Sequence, residues 1–188
     1  MDSRAGFVLV GGRSSRMGRD KARLPLHGKT LVEHVASAVA EAAGSVTLVG
    51  APDRYQSLGL PILPDSRPGA GPLAGIHTAL SASRADWNLI AACDMPVISA
   101  PFLQSLLAAA ESSAADCLIP SGASGLPEPL CAVYHSRCRA AIQAALDRGV
   151  RKVMDGLAGL RIATRSVPDS DWFRNVNTPE EWANYLYG

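Results

Sequence analysis

The sequence predicts an α/β protein: three α/β/α layers around a mostly parallel, twisted sheet. Three observations carry that expectation. Short apolar runs recur at 5–10, 45–49, 61–63 and 87–93, a length and composition suited to buried strands. Segments with apolar residues at helical spacing alternate with them, as in Leu31, Val32, Val35, Val39 and Ala43. Many of the 17 glycines and 13 prolines gather in a few loops between these runs. Alternation of this kind implies right-handed crossovers with helices on both faces, and ligands at the carboxyl ends of the strands. A length of 188 residues fits a single domain, 1–188.

Each element has a local reason. Gly11-Gly12 ends the first strand, and a helix over 30–43 stops at Gly44. After the strand 45–49 come a short helix over 52–58 and a short strand at 61–63. The helix 72–83 has Pro72 in its first turn, where a missing N–H costs nothing. The strand 87–93 precedes a helix over 101–111 that begins near a Ser99 cap. Strands at 117–120 and 130–134 flank a small-residue loop containing Glu128. Helices are expected over 136–146 and, more briefly, 150–157, with a β-prone run at 160–167. Thr178-Pro-Glu-Glu opens a terminal helix over 178–186 with a cap and first-turn acids. There is no internal repeat, low-complexity tract or interdomain linker.

Composition excludes several classes. With 47% hydrophobic and 19% charged residues the chain is an ordinary globular one, able to bury a core without metal or disulfide. A net charge of +1 offers no general attraction to nucleic acid or a membrane surface, so an anionic partner must meet a local site. Cys93, Cys117, Cys131 and Cys138 form no C-x-x-C pair and read as reduced, buried thiols. Neither a signal-peptide core nor a run of about 18 apolar residues is present. The expectation is a soluble cytoplasmic protein.

Chemistry concentrates in the loop after the first strand. Between Gly11 and Lys21, two adjacent glycines allow close backbone approach, and Arg13, Arg16, Arg19 and Lys21 supply four cations. The segment reads as a phosphate cradle or as a solvated basic turn. It matches neither G-x-G-x-x-G nor the Walker loop, and Gly28-Lys29-Thr30 only imitates the end of the latter; it reads as a turn into a helix. Asp94, ending an almost wholly apolar strand, suits a divalent cation such as Mg²⁺ or a cap on the following loop. Asp65 lies in a turn-rich segment, and residues 68–75 lead into a helix N-terminus able to face an anion.

Leu9-Val10-Gly11-Gly12, followed by Ser15-Arg16-Met17-Gly18 and Lys21, resembles the L-x-G-G-x-S-x-R-M-G-x-x-K signature of the MobA-like nucleotidyltransferases. The resemblance continues through Pro72-Leu-Ala-Gly75, Cys93-Asp-Met-Pro96, Arg151-Lys-Val-Met154 and Asn175-Val-Asn-Thr-Pro-Glu-Glu181. It implies a Rossmann-like nucleotidyltransferase fold that joins GMP from GTP to molybdopterin or Mo-molybdopterin and releases pyrophosphate. The alternatives are a relative using CTP or another phosphorylated acceptor, and a non-catalytic nucleotide-binding module. By resemblance Leu9, Val10, Gly11 and Gly12 lie along the nucleotide, Asp65 touches it, and Arg16 and Lys21 offset its phosphate charge. Asp94 would hold Mg²⁺. Gly11 stands where CTP-using relatives usually carry Ala, and Gly50 where the family commonly has Asn.

The same resemblance places molybdopterin in the C-terminal half. Arg151 and Lys152 then face its phosphate, and Asn175 and Asn177 its ring edge, against the plainer readings of a solvated helix start and of turn and cap chemistry. Transient contact with molybdopterin-handling proteins and acceptor apoenzymes is implied as well. No serine or cysteine nucleophile is expected.

Overall fold

The structure is a computed structural model that describes residues 4–11, 20–122, 124–167, 170–176 and 178–187. Gly12, Arg16 and Asn177 therefore lie outside the described residues.

Strand β1 (Arg4–Leu9) is central and fully sequestered over Phe7 and Val8. A two-residue hairpin follows, β2 (Pro25–Leu26) and β3 (Lys29–Thr30), turned at His27-Gly28. Of Gly28-Lys29-Thr30, expected as a turn into a helix, only Gly28 lies in the turn; Lys29 and Thr30 form the short strand β3 that leads into the helix. Helix α1 (Leu31–Ala43) starts on a capping box: Thr30 N–H donates to Glu33 Oε2 at 2.7 Å, and Glu33 N–H donates back to Thr30 Oγ1 at 3.4 Å.

Next come β4 (Thr47–Gly50), α2 (Pro52–Tyr55), β5 (Ile62–Pro64), α3 (Pro72–Ala82) and β6 (Trp87–Ala92). The chain continues through α4 (Ala100–Glu111), β7 (Cys117–Ser121), β8 (Cys131–His135) and α5 (Cys138–Asp147). It closes with α6 (Val153–Gly156), β9 (Ile162–Ser166) and α7 (Pro179–Tyr187). One expected cap is corrected: Ser99 precedes α4 in extended conformation but its hydroxyl makes no cap hydrogen bond. At α7 the cap holds, with Glu181 N–H donating to Thr178 Oγ1 at 3.2 Å.

The seven long strands form one sheet in the order β5-β4-β1-β6-β8-β7-β9. Every pairing is parallel except those of β8, which runs against both β6 and β7. Two cores cover the two faces. Leu89 and Ala91 of β6 join the α1 and α4 residues Leu31, Val35, Val39, Leu103 and Leu107 on one side. Ile90 joins Leu73, Ile76 and Leu80 of α3 and Ile142 of α5 on the other. A strand buried on both faces explains why 87–92 shows no alternation, with Asn88 its one polar side chain and that one buried. All four cysteines are buried free thiols, and among the described residues no helix is long and apolar enough to cross a membrane.

Candidate active site

Parallel pairing brings the carboxyl ends of β1, β4, β5 and β6 to one edge of the sheet. Three backbone bonds knit them there: Val10 N–H to the Val49 carbonyl (2.9 Å), Asp65 N–H to Gly50 (3.3 Å), and Cys93 N–H to Leu9 (3.3 Å). A chamber of about 450 Å³ opens over this edge. Its walls include Leu9, Val10, Gly11, Lys21, Gly50, Asp65 and Asp94, all expected along the nucleotide. Gly11 has φ of 120°, a backbone state costly for any other residue. Gly50 is a matter of space. A Cβ there would lie 2.1 Å from the Val10 carbonyl oxygen and 2.7 Å from Val10 Cγ2. The family's usual Asn does not fit this approach of β1 and β4, so the backbone faces the chamber instead.

Lys21 opens a 3₁₀ turn whose preceding residue, Asp20, accepts from Ala22 N–H at 3.2 Å. Asp20 also takes Arg54 at 2.8 Å and the Tyr55 hydroxyl at 3.2 Å, fixing the start of the turn to α2. The Lys21 ammonium then reaches across the edge to Asp94 Oδ2. Side-chain exposures of 20% and 14% leave this ion pair shielded yet open to the chamber. The partner of the Asp94 carboxylate is thus a lysine, and among the described residues it makes no hydrogen bond to its own loop. Burial, with the Asp94 charge beside it, pushes the Cys93 thiol up to about 12, so it is inert as a nucleophile near neutral pH.

Asp65 forms its turn and also stands on the chamber wall. Its Oδ1 accepts from Arg67 N–H (3.0 Å) and Thr78 Oγ1 (3.3 Å), shaping the turn, while the residue lines the chamber. The N-terminus of α3, from Gly71 and Pro72, faces the same space with no side-chain cap.

A second chamber of about 410 Å³ adjoins the first and shares Pro72, Ala92, Asp94 and Leu130 with it. Lys152 and Asn175 line it, as does Glu128. Asn175 is held beside Asp94 because Val176 N–H donates to the Asp94 carbonyl at 3.2 Å. Its Oδ1 is buried and unpartnered. Arg151 is placed elsewhere: it is exposed, with Nη1 3.5 Å from the Gly69 carbonyl on the nucleotide-side loop. Among the described residues no three His, Cys, Asp or Glu side chains cluster as a metal site.

Three contributors escaped the sequence reading. Arg54 lines the first chamber, lying 5.4 Å over the Tyr55 ring; Asp20 anchors it; and Glu128 faces the second chamber. An acid immediately before Lys21 was the available signal for Asp20.

Two chambers meeting at one acid is the plan of a group-transfer enzyme, which must hold donor and acceptor against each other. The chain belongs to the MobA-like NTP transferase domain family, whose model matches residues 6–166. It is 34% identical over 189 residues to a probable molybdenum cofactor guanylyltransferase of Nostoc sp., covering 97% of this chain and 90% of that one. The corresponding protein of Flavobacterium johnsoniae is 32% identical, covering 96% and 95%. Among solved structures, the molybdopterin-guanine dinucleotide biosynthesis protein A of Archaeoglobus fulgidus superposes with a TM-score of 0.83 at 29% identity, covering 96% and 95%. A CMP:2-keto-3-deoxy-manno-octonic acid synthetase complexed with CTP shares the fold, with a TM-score of 0.74 at 16% identity over 97% of each chain. The fold is the Rossmann-like one of nucleotidyltransferases.

Proposed function

We propose that this chain transfers GMP from GTP to molybdopterin, giving the guanine dinucleotide form of the molybdenum cofactor and pyrophosphate. The observation that carries the reading is the Lys21–Asp94 pair, whose acid lies on the wall shared by the two chambers and whose lysine lies in the first. It is supported by full-length likeness to proteins bearing the guanylyltransferase name. One domain does both tasks, its N-terminal half holding the nucleotide and its C-terminal half the acceptor.

In the reaction an oxygen of the molybdopterin phosphate attacks the α-phosphorus of GTP in line. The bond from that phosphorus to the bridging oxygen breaks, and pyrophosphate carries the electron pair away. A phosphate monoester has a second pKa of about 6 and is already largely dianionic near pH 7, so no general base is required. Catalysis then rests on positioning and charge. Backbone at Leu9, Val10, Gly11 and Gly12 and the carboxyl of Asp65 bind the nucleotide, with Gly50 contributing backbone alone. Lys21 and Arg16 offset triphosphate charge. Lys152 faces the acceptor's phosphate and Asn175 its ring, with Asn177 assigned to the ring by resemblance alone, while Arg151, at the Gly69 loop, is left out of the acceptor's contacts.

Asp94 suits Mg²⁺: it is a hard oxygen donor at the chamber junction, already charge-paired with an ammonium, and Mg²⁺ commonly takes only one or two carboxylates beside phosphates and water. Bound there, the ion would neutralise charge developing on the phosphates. The four reduced thiols fit the reducing cytoplasm.

The test is transfer to molybdopterin from equimolar GTP and CTP in Mg²⁺. The reading expects the guanine product in at least tenfold excess. Equal or greater yield of the cytosine product would reassign the nucleotide, and no pterin product with either would reassign the acceptor.

A further inference from the structure

The acceptor-side chamber contains a carboxylate for which the transfer chemistry has no use. Glu128 is half-buried, and among the described residues its side chain has no hydrogen bond or ion pair. Its position is fixed by the reversal of β8. A strand running against its neighbours begins, rather than ends, at the carboxyl edge, so the residues leading into it arrive beside Asp94.

Backbone bonds then hold the segment still. Glu128 N–H donates to Pro120 (2.8 Å), Cys131 N–H to the Glu128 carbonyl (3.0 Å), and Ala92 N–H to Leu130 (2.7 Å). The buried Tyr134 hydroxyl adds a bond to the Pro129 carbonyl at 2.7 Å. Burial, and then the negative charge of Asp94, raise the Glu128 pKa, the mark of a carboxylate kept in an unfavourable place. A second, independent observation lies in the same chamber, the buried and unpartnered Oδ1 of Asn175. Two acceptors without donors call for a ligand edge rich in N–H groups.

We propose, building on the acceptor assignment above, that Glu128 is the residue that selects the acceptor ring. A 2-amino-4-oxopteridine presents a ring N–H and an amino group side by side. The two carboxylate oxygens of Glu128 match that fork as they would a guanidinium, and Asn175 Oδ1 takes a further ring N–H. Guanine carries the same donor edge, but Glu128 lines the acceptor-side chamber and not the nucleotide-side one. Its partner is therefore the pterin.

Glu128→Gln separates these possibilities in the full-length enzyme. The KM for molybdopterin is expected to rise about 10–100-fold, the cost of a lost charged hydrogen bond, while the KM for GTP and the half-saturating Mg²⁺ concentration stay within twofold. A molybdopterin KM within twofold of wild type overturns the proposal. So does a matching rise in the GTP KM, which would put Glu128 on guanine, or a rise confined to Mg²⁺, which would put it on the ion. Pterin and lumazine, differing only by that amino group against an oxygen, are then compared as inhibitors. Wild type should favour pterin at least fivefold and the variant should not; a wild type without preference overturns the donor-edge assignment. If wild type itself makes no pterin product, the acceptor assignment fails first, and independently of Glu128.

Discussion

The two chambers that meet at Asp94 are built from different materials. The nucleotide side is walled largely by backbone and small residues, Gly11 and Gly50 at strand ends and Gly69, Gly71 and Gly75 in the loop and first turns of α3. The acceptor side is walled by side chains, Met95, Glu128, Lys152, Met154 and Asn175, delivered by separate stretches of chain. A triphosphate is recognised by charge and by close approach of N–H groups, which glycine permits. A heterocycle is recognised at its edges, which needs side-chain acceptors and donors. Substitutions on the nucleotide side therefore intrude on space and fold together, whereas those on the acceptor side remove a contact from an otherwise intact scaffold.

Asp94 belongs to both walls, so its loss should have the largest effect. Asp94→Ala is expected to lower kcat/KM about 10²–10³-fold, with a melting midpoint within about 4 °C of wild type because a partly exposed ion pair contributes little stability. Turnover within threefold of wild type would break the idea of a shared acid. Lys21→Ala should weaken the nucleotide side alone, raising the GTP KM about 10–100-fold with the molybdopterin KM unchanged. Equal rises for both substrates would erase the distinction between the chambers.

Gly50→Asn sharpens the comparison in the opposite sense, since it supplies the side chain common in the family. The clash with the Val10 carbonyl is expected to cost about 1–3 kcal/mol and roughly 3–10 °C in melting temperature, and to weaken GTP binding measured by calorimetry. Tighter GTP binding with an unchanged midpoint would show that the β1–β4 approach does not exclude it. Asp116, remote from both chambers, gives the smallest effect. Its carboxylate accepts Arg161 N–H (2.9 Å) and pairs with Arg137 (2.8 Å), and these bonds, those from Arg161 foremost, hold its pKa below the usual range. A native pKa lower than the unfolded one gives stability that is complete above about pH 4 and is lost as pH falls through the native value. Asp116→Asn should lower the melting midpoint by about 2–4 °C at pH 6 without altering turnover. Wild type and variant should draw together in melting scans as pH falls below about 4. A constant difference across that range would remove the carboxylate from the stability of the β7–β8 side.

Legibility in the sequence follows the same division. The nucleotide side was readable because its residues lie at the ends of predicted strands, which a parallel sheet gathers at one edge. Leu9, Gly11, Lys21, Asp65 and Asp94 all reach one chamber. The reason for Gly50 was not readable, because the obstructing Val10 carbonyl comes from a neighbouring strand. Of the residues assigned to the acceptor by motif, Lys152 and Asn175 line the second chamber, and Arg151 sits instead at the Gly69 loop. Glu128 was missed as a site residue for a topological reason. An apolar run reads alike in both directions, so the reversal of β8 that carries Glu128 beside Asp94 is decided only by tertiary pairing. The Ser99 cap failed on a smaller scale: residue type and position were right, but a hydroxyl's direction depends on its rotamer.

The central claim is that these chambers join a GMP unit to a pterin phosphate across Asp94. It is tested most directly by incubating the enzyme with molybdopterin, Mg²⁺ and GTP labelled at either the α- or the γ-phosphate, then separating pterin product from pyrophosphate. The account expects α-label in the pterin product and γ-label in pyrophosphate, both abolished by Asp94→Ala. Label from the γ-position in the pterin, or α-label transfer that survives the substitution, would contradict it.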